Sequence, residues 1–190
     1  MKKDSNLTIP NILTVLRILL TPGFVVAFLD NRLDLAWLLF AVAGFTDALD
    51  GFLARVLKQR TRLGSMLDPL ADKVLLTTSY VCLSMVGMLP RWIAVMVVSR
   101  DIIIVGGLAL IQFFGGEVRG RIMPSWLGKT TTLFQIGLVL FVMAERSLGV
   151  DYEAVRSFLM YSTAMLTGAS GLDYIRAGFR LLPPLEPGDV

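Results

Sequence analysis

Four aspartates carry the strongest chemical signal in this 190-residue chain: Asp47, Asp50, Asp68 and Asp72, within the stretch DALDGFLARVLKQRTRLGSMLDPLAD. On helices, Asp47 and Asp50 are i, i+3 neighbours on one face, and Asp68 and Asp72 are i, i+4 neighbours on the next helix. The connection between the pairs is short. The two helices are therefore expected to be adjacent and antiparallel, with the carboxylate pairs facing each other. Four carboxylates in so small a volume repel unless some are protonated or cations sit between them. Hard divalent ions such as Mg²⁺ or Mn²⁺ favour such an all-oxygen donor set. The chain has no histidine, and its single cysteine, Cys82, lies inside an apolar run. Zinc is poorly suited, and acid–base work falls to carboxylates, lysine, tyrosine or water. Two ions about 3.5–4 Å apart would suit phosphoryl transfer. Gly51 and Gly64 leave room for a ligand or a second backbone. Arg55, one turn beyond Asp50, can neutralise a phosphate or hold a carboxylate. The competing reading is plain: a solvated aspartate pair at a helix end, with Gly51 and Ala54 as small packing residues. Acidic groups inside a membrane protein are more often functional.

The elements that must position these groups read as membrane helices. Hydrophobic residues make up 55% of the chain and the mean hydropathy is +0.69, above the usual range for a soluble domain. Six apolar blocks, roughly 10–29, 34–56, 69–89, 91–114, 126–145 and 154–178, are long enough to cross a bilayer as helices. The expected fold is an all-α integral membrane domain, a six-transmembrane-helix bundle spanning residues 1–190, with a disordered tail from about 183 to 190. No cleavable leader is expected. Pro22 should kink the first span. Basic residues cluster at Lys2 and Lys3, at Lys58, Arg60 and Arg62, at Arg119 and Arg121, and at Arg176 and Arg180. The positive-inside rule then places both termini and the aspartates at the cytoplasmic face. The net charge of +3 reflects topology, and no nucleic-acid partner is expected.

The pattern D-x2-D-G-x2-A-R-x8-G-x3-D-x3-D resembles the signature of the CDP-alcohol phosphatidyltransferases, with all eight positions matched. At a usage of roughly 5–8% per residue, a chance match at a given start is of order 10⁻¹⁰. The likeness extends to the six spans, the opening IPNILTVLRIL and the later PSWLGK. The resemblance implies transfer of a phosphatidyl group from CDP-diacylglycerol to an alcohol, with release of CMP, at a bacterial inner membrane. It implies that Asp47, Asp50, Asp68 and Asp72 ligate two Mg²⁺ or Mn²⁺ ions, with Asp72 also the general base. It further implies that Gly51, Ala54, Arg55, Thr61 and Gly64 line the cytidine diphosphate, that Asn11 and Thr14 reach it from the first span, and that the protein is a homodimer.

The acceptor alcohol is less sharply written. IPN, DALDG, LDPLADK and SWLGK together are similar to the bacterial phosphatidylglycerophosphate synthase branch, whose acceptor is sn-glycerol 3-phosphate. SRDIIIVGG departs from the ARE-type stretch of that branch. With the Ser170–Tyr174 region it is similar to the cardiolipin synthases, which use phosphatidylglycerol. Lys129 and Arg121 are candidates for an acceptor phosphate; positive-inside topology would also account for Arg121 and Arg119. Arg100 has two open readings. It could bind that phosphate, or it could be structural and pair with Asp101, since helix order puts the start of its span opposite the aspartates. A small ion transporter would also place acids in a membrane, but those acids would be spread through its depth, not gathered at one face. A catalytically silent subunit would be expected to have lost a metal aspartate.

Overall fold

Each apolar run folds as a helix, the conformation that satisfies backbone groups within the segment itself. The computed structural model describes residues 9–56, 64–113 and 126–179, with side chains described over 15–47, 73–107 and 126–178. Its helices are α1 (Ile9–Leu29), α2 (Leu33–Val56), α3 (Gly64–Met85), α4 (Arg91–Phe113), α5 (Trp126–Leu148) and α6 (Glu153–Phe179). No strand occurs among the described residues. The tail at 183–190 lies outside them. Pro22 sits inside α1; it removes one helix N–H, and the helix continues through it.

Three tight turns close helical hairpins. Each has a residue in the left-handed region just past the helix: Asn31 (φ 58), Gly87 (φ 77) and Gly149 (φ 66). The hydrogen bonds are those of Schellman caps, in which the residue after the left-handed one bonds back across the last turn. Arg32 N donates to Ala27 O at 2.9 Å, Met88 N to Leu83 O at 2.9 Å, and Val150 N to Glu145 O at 3.1 Å. A Cβ on Gly87 would meet no atom within 4 Å, so only its backbone conformation resists substitution. Gly87→Ala is expected to lower stability by about 1 kcal/mol, read as a lower thermal midpoint in detergent with activity retained.

These turns gather at one end of the bundle. The α3–α4 turn and the α5–α6 turn line a common cavity through Gly87, Met88, Gly149 and Asp151. The Trp37 Nε1–H, in the first turns of α2, donates to Leu140 O late in α5 at 3.1 Å. Helices α1 and α5 form the middle of the packing: α1 lies against α2 and α3, and α5 against α2, α3 and α6, while α4 bridges α3 and α6. The core between them holds Phe24, Phe40, Tyr80, Leu83, Ile93, Leu138 and Met143. The Tyr80 hydroxyl donates to Gln135 O at 3.1 Å, which satisfies a polar atom that burial would otherwise strand.

The ends of α2 and α3 past Asp47 and before Lys73, where direct packing of these two helices is expected, lie outside the described side chains. The two helices converge on a shared cavity, and α1 and α5 contact both. By length and composition one helix among the described residues, Trp126–Leu148, is long and apolar enough to cross a membrane, and Val15–Leu29 and Lys73–Met85 are shorter apolar stretches. Polar groups also lie inside the bundle, Arg100 and Asp101 in α4 and Thr163, Thr167 and Ser170 in α6.

Candidate active site

At the end of the bundle away from the three turns, five helices contribute to a cavity of about 230 Å³. Arg17 (α1), Asp47 (α2), Lys73 (α3), Asp101 (α4), and Thr132 and Gln135 (α5) supply its polar wall; Phe40, Leu75, Leu76 and Ile136 supply the apolar one. Both helices of the aspartate signature reach it, Asp47 near the end of α2 and Lys73 directly after Asp72 in α3.

Asp47 is held by Arg17. Arg17 Nη1 lies 2.9 Å from Asp47 Oδ1, with the arginine side chain 1% exposed and the carboxylate 37% exposed. A buried guanidinium is costly without a partner, so the pair holds the Asp47 side chain at the cavity, and its exposure leaves it open to a further ligand. Small residues make this approach possible: Gly44, one turn before Asp47, also lines the cavity, and Ala43 is fully buried.

A second charged group spans three helices. Lys73 Nζ donates to Asp101 Oδ1 at 2.5 Å, and Arg100 Nη1 donates to the same oxygen at 2.7 Å. Arg100 Nη2 donates to Ser170 Oγ on α6 at 2.8 Å, and its guanidinium lies 5.8 Å from the centre of the Tyr174 ring. Asp101 Oδ2 accepts no hydrogen bond. The α5–α6 seam beside the cavity is fastened by Gln135 Nε2 donating to Thr167 Oγ1 at 3.1 Å and by Thr131 Oγ1 donating to Leu166 O at 3.1 Å.

The structure therefore refines the placement of Arg100. The start of α4 does lie opposite the aspartates, but Arg100 is ten residues along it, level with Lys73, and is turned into the bundle. The geometry is that of the structural reading, pairing with Asp101. Lys129 is exposed in the first turn of α5, with Nζ 5.3 Å from the Trp126 ring centre, and does not line the cavity. Thr61 and Arg121 lie outside the described residues. So do the side chains of Asn11, Thr14, Asp50, Gly51, Ala54, Arg55, Gly64, Asp68 and Asp72, whose backbones belong to α1, α2 and α3. Among the described residues no three carboxylate, thiol or imidazole groups gather as a metal site.

Arg17 and Lys73 were not singled out by spacing. The signal available for Arg17 was a lone cation inside the apolar run ILTVLRILLTPG, a placement that usually marks a partner within the bundle. Asp47, oriented by Arg17, presents to the cavity a carboxylate oxygen, the donor type that hard divalent cations accept.

A larger cavity of about 560 Å³ lies at the opposite end. Three of its charged groups pair with one another: Arg156 Nη1 lies 3.0 Å from Glu145 Oε2 and 3.1 Å from Asp151 Oδ1, and Tyr152 N donates to Glu145 Oε1 at 2.6 Å. It contains none of the signature aspartates, so size does not decide in its favour.

Comparison of the sequence with known proteins points to one family. Residues 7–169 match the family model for CDP-alcohol phosphatidyltransferase. A CDP-diacylglycerol–glycerol-3-phosphate 3-phosphatidyltransferase of Haemophilus influenzae is 37% identical over 88% of this chain and 91% of its own length. A probable phosphatidylglycerophosphate synthase of Mycobacterium tuberculosis is 35% identical over 90% of this chain and 81% of its own. The human cardiolipin synthase (CMP-forming) is 33% identical over 90% of this chain and 62% of its own. The chain belongs to the CDP-alcohol phosphatidyltransferase family.

Proposed function

We propose that this protein transfers the phosphatidyl group of CDP-diacylglycerol to sn-glycerol 3-phosphate, giving phosphatidylglycerophosphate and CMP in phospholipid biosynthesis. The observation that carries the reading is Asp47, fixed by a buried arginine at a cavity that both helices of the aspartate signature reach. Two relatives of similar length bear names for this reaction.

The proposed site lies at the cytoplasmic edge of a bacterial inner membrane, crossed six times. Helices of 21 to 27 residues are about 30–40 Å long, enough for a hydrocarbon core of about 30 Å. Every helix carries exposed large apolar residues, among them Leu19, Phe45, Met85, Ile102, Leu133 and Met165, as a lipid-facing surface requires. The tails of the donor remain among lipids, while its cytidine diphosphate enters from water onto Gly51, Ala54, Arg55, Thr61 and Gly64, with Asn11 and Thr14 across from them. The apolar helix faces also permit a homodimer.

Asp47, Asp50, Asp68 and Asp72 hold two Mg²⁺ or Mn²⁺ ions in this reading. Bound divalent ions would polarise the phosphoryl oxygens and stabilise charge on departing CMP. Arg17 orients Asp47. Asp72 takes the proton of the acceptor hydroxyl, whose oxygen bonds to the phosphatidyl phosphorus as the P–O bond to CMP breaks. Lys129 and Arg121, eight residues apart in the sequence, attract the acceptor's phosphate from the cytoplasmic side in this reading.

Purified protein in detergent with CDP-diacylglycerol and a divalent ion is expected to release CMP with sn-glycerol 3-phosphate, and not with serine or inositol phosphate. Release with phosphatidylglycerol instead would assign the cardiolipin-forming reaction, in line with the cardiolipin synthase relative. Ion flux in vesicles without CMP release from any acceptor would favour a transporter and overturn the reading.

A further inference from the structure

Lys73 is the most exposed cation on the cavity wall, at 30% against 1% for Arg17. Its bond to Asp101 belongs to a chain of charges in which Arg100 binds the same carboxylate oxygen and Ser170 anchors Arg100. Arg100 and Asp101 are both 7% exposed and already make a complete α4–α6 link. An architectural brace needs no second cation. Lys73 nevertheless shares the Asp101 oxygen with Arg100 while reaching the cavity wall. The ammonium has three hydrogens to donate, and Asp101 receives one of them. The other two lie on a side chain that shares the cavity with Asp47.

We propose that Lys73 is a substrate-contacting residue that binds a phosphate oxygen at this cavity, with Asp101 and Arg100 as positioning residues that hold its ammonium toward Asp47. The inference rests on phosphatidyl transfer taking place at this cavity. Two phosphates meet there: the donor's diphosphate and the acceptor's monoester. The chemistry of contact is the same for both, and kinetics separates them.

The test measures KM for CDP-diacylglycerol and for sn-glycerol 3-phosphate separately, in the wild type, Lys73→Met and Lys73→Arg. Losing a charge-assisted hydrogen bond is expected to raise the KM of the contacted substrate about 10- to 100-fold in Lys73→Met. The other KM should change less than about threefold, and Lys73→Arg should recover most of the loss. A rise in the donor KM alone assigns the diphosphate, and a rise in the acceptor KM alone assigns the monoester. Both KM values within about twofold of wild type, or a loss of kcat alone that arginine does not rescue, would overturn the proposal. A second measurement depends on neither variant folding nor turnover: amine acylation of Lys73 in the wild-type protein, read by mass spectrometry. Slowing by about tenfold or more with inorganic pyrophosphate or glycerol 3-phosphate supports the contact, and no slowing with either contradicts it. Wild-type turnover with an indifferent Lys73 sinks this inference alone. Protection of Lys73 without any CMP release sinks the proposed reaction and leaves the phosphate contact standing.

Discussion

Asp72→Asn is expected to lower phosphatidyl transfer by about 10²–10⁴-fold, the usual range for a general base, while largely preserving metal-dependent binding of CDP-diacylglycerol. Asparagine keeps the size and one oxygen of the aspartate but cannot accept the acceptor's proton. The two quantities are read separately, as CMP release in single turnover and as binding of the CDP-lipid with saturating divalent ion. A parallel loss of both would assign Asp72 to the metal alone and move the base elsewhere. Histidine cannot fill that vacancy, since the chain has none. Asp47→Asn provides the contrast: it weakens the pairing with Arg17 and the proposed metal site together, so binding and turnover should fall in step.

The largest stability effect is expected at Asp101. Its carboxylate compensates Arg100 and Lys73, and both Asp101 and Arg100 are buried. Asp101→Ala leaves the arginine without its counter-charge inside the bundle, at a cost of about 3–5 kcal/mol, read as a fall in the unfolding midpoint in detergent. Replacing Arg100 by methionine and Asp101 by leucine together should recover most of that loss, because an apolar pair of similar volume removes the desolvation penalty along with the attraction. Lys73, being more exposed, can reach water in the double variant. Equal instability of the single and double variants would show that the charges themselves, and not their compensation, stabilise the α4–α6 seam.

The aspartate signature was legible because its chemistry is local. Spacing alone puts Asp47 and Asp50 on one helix face, and a lack of histidine alone restricts the metal. Six helices were legible because each apolar run ends at a turn signal, and Asn31, Gly87 and Gly149 occupy the left-handed positions that close three of the links. What spacing could not give was distance between helices. Arg17 stands thirty residues from Asp47, and Lys73 twenty-eight from Asp101; no periodicity within one helix relates them. Arg100 was ambiguous for the same reason. Its span starts at the far end, and only the tilt and depth of α4 against α3 bring it level with Lys73. Nor could spacing show that α1 and α5 contribute to the wall of the cavity that α2 and α3 both line.

The most direct test is a structure of the protein bound to Mn²⁺ and CDP, with the metal located by its anomalous scattering. The expected result is two Mn²⁺ peaks about 3.5–4 Å apart, each coordinated by oxygens from both α2 and α3, with Asp47 shared between an ion and Arg17. Aspartates directed to separate surfaces, with no ion touched by two of them, would contradict it.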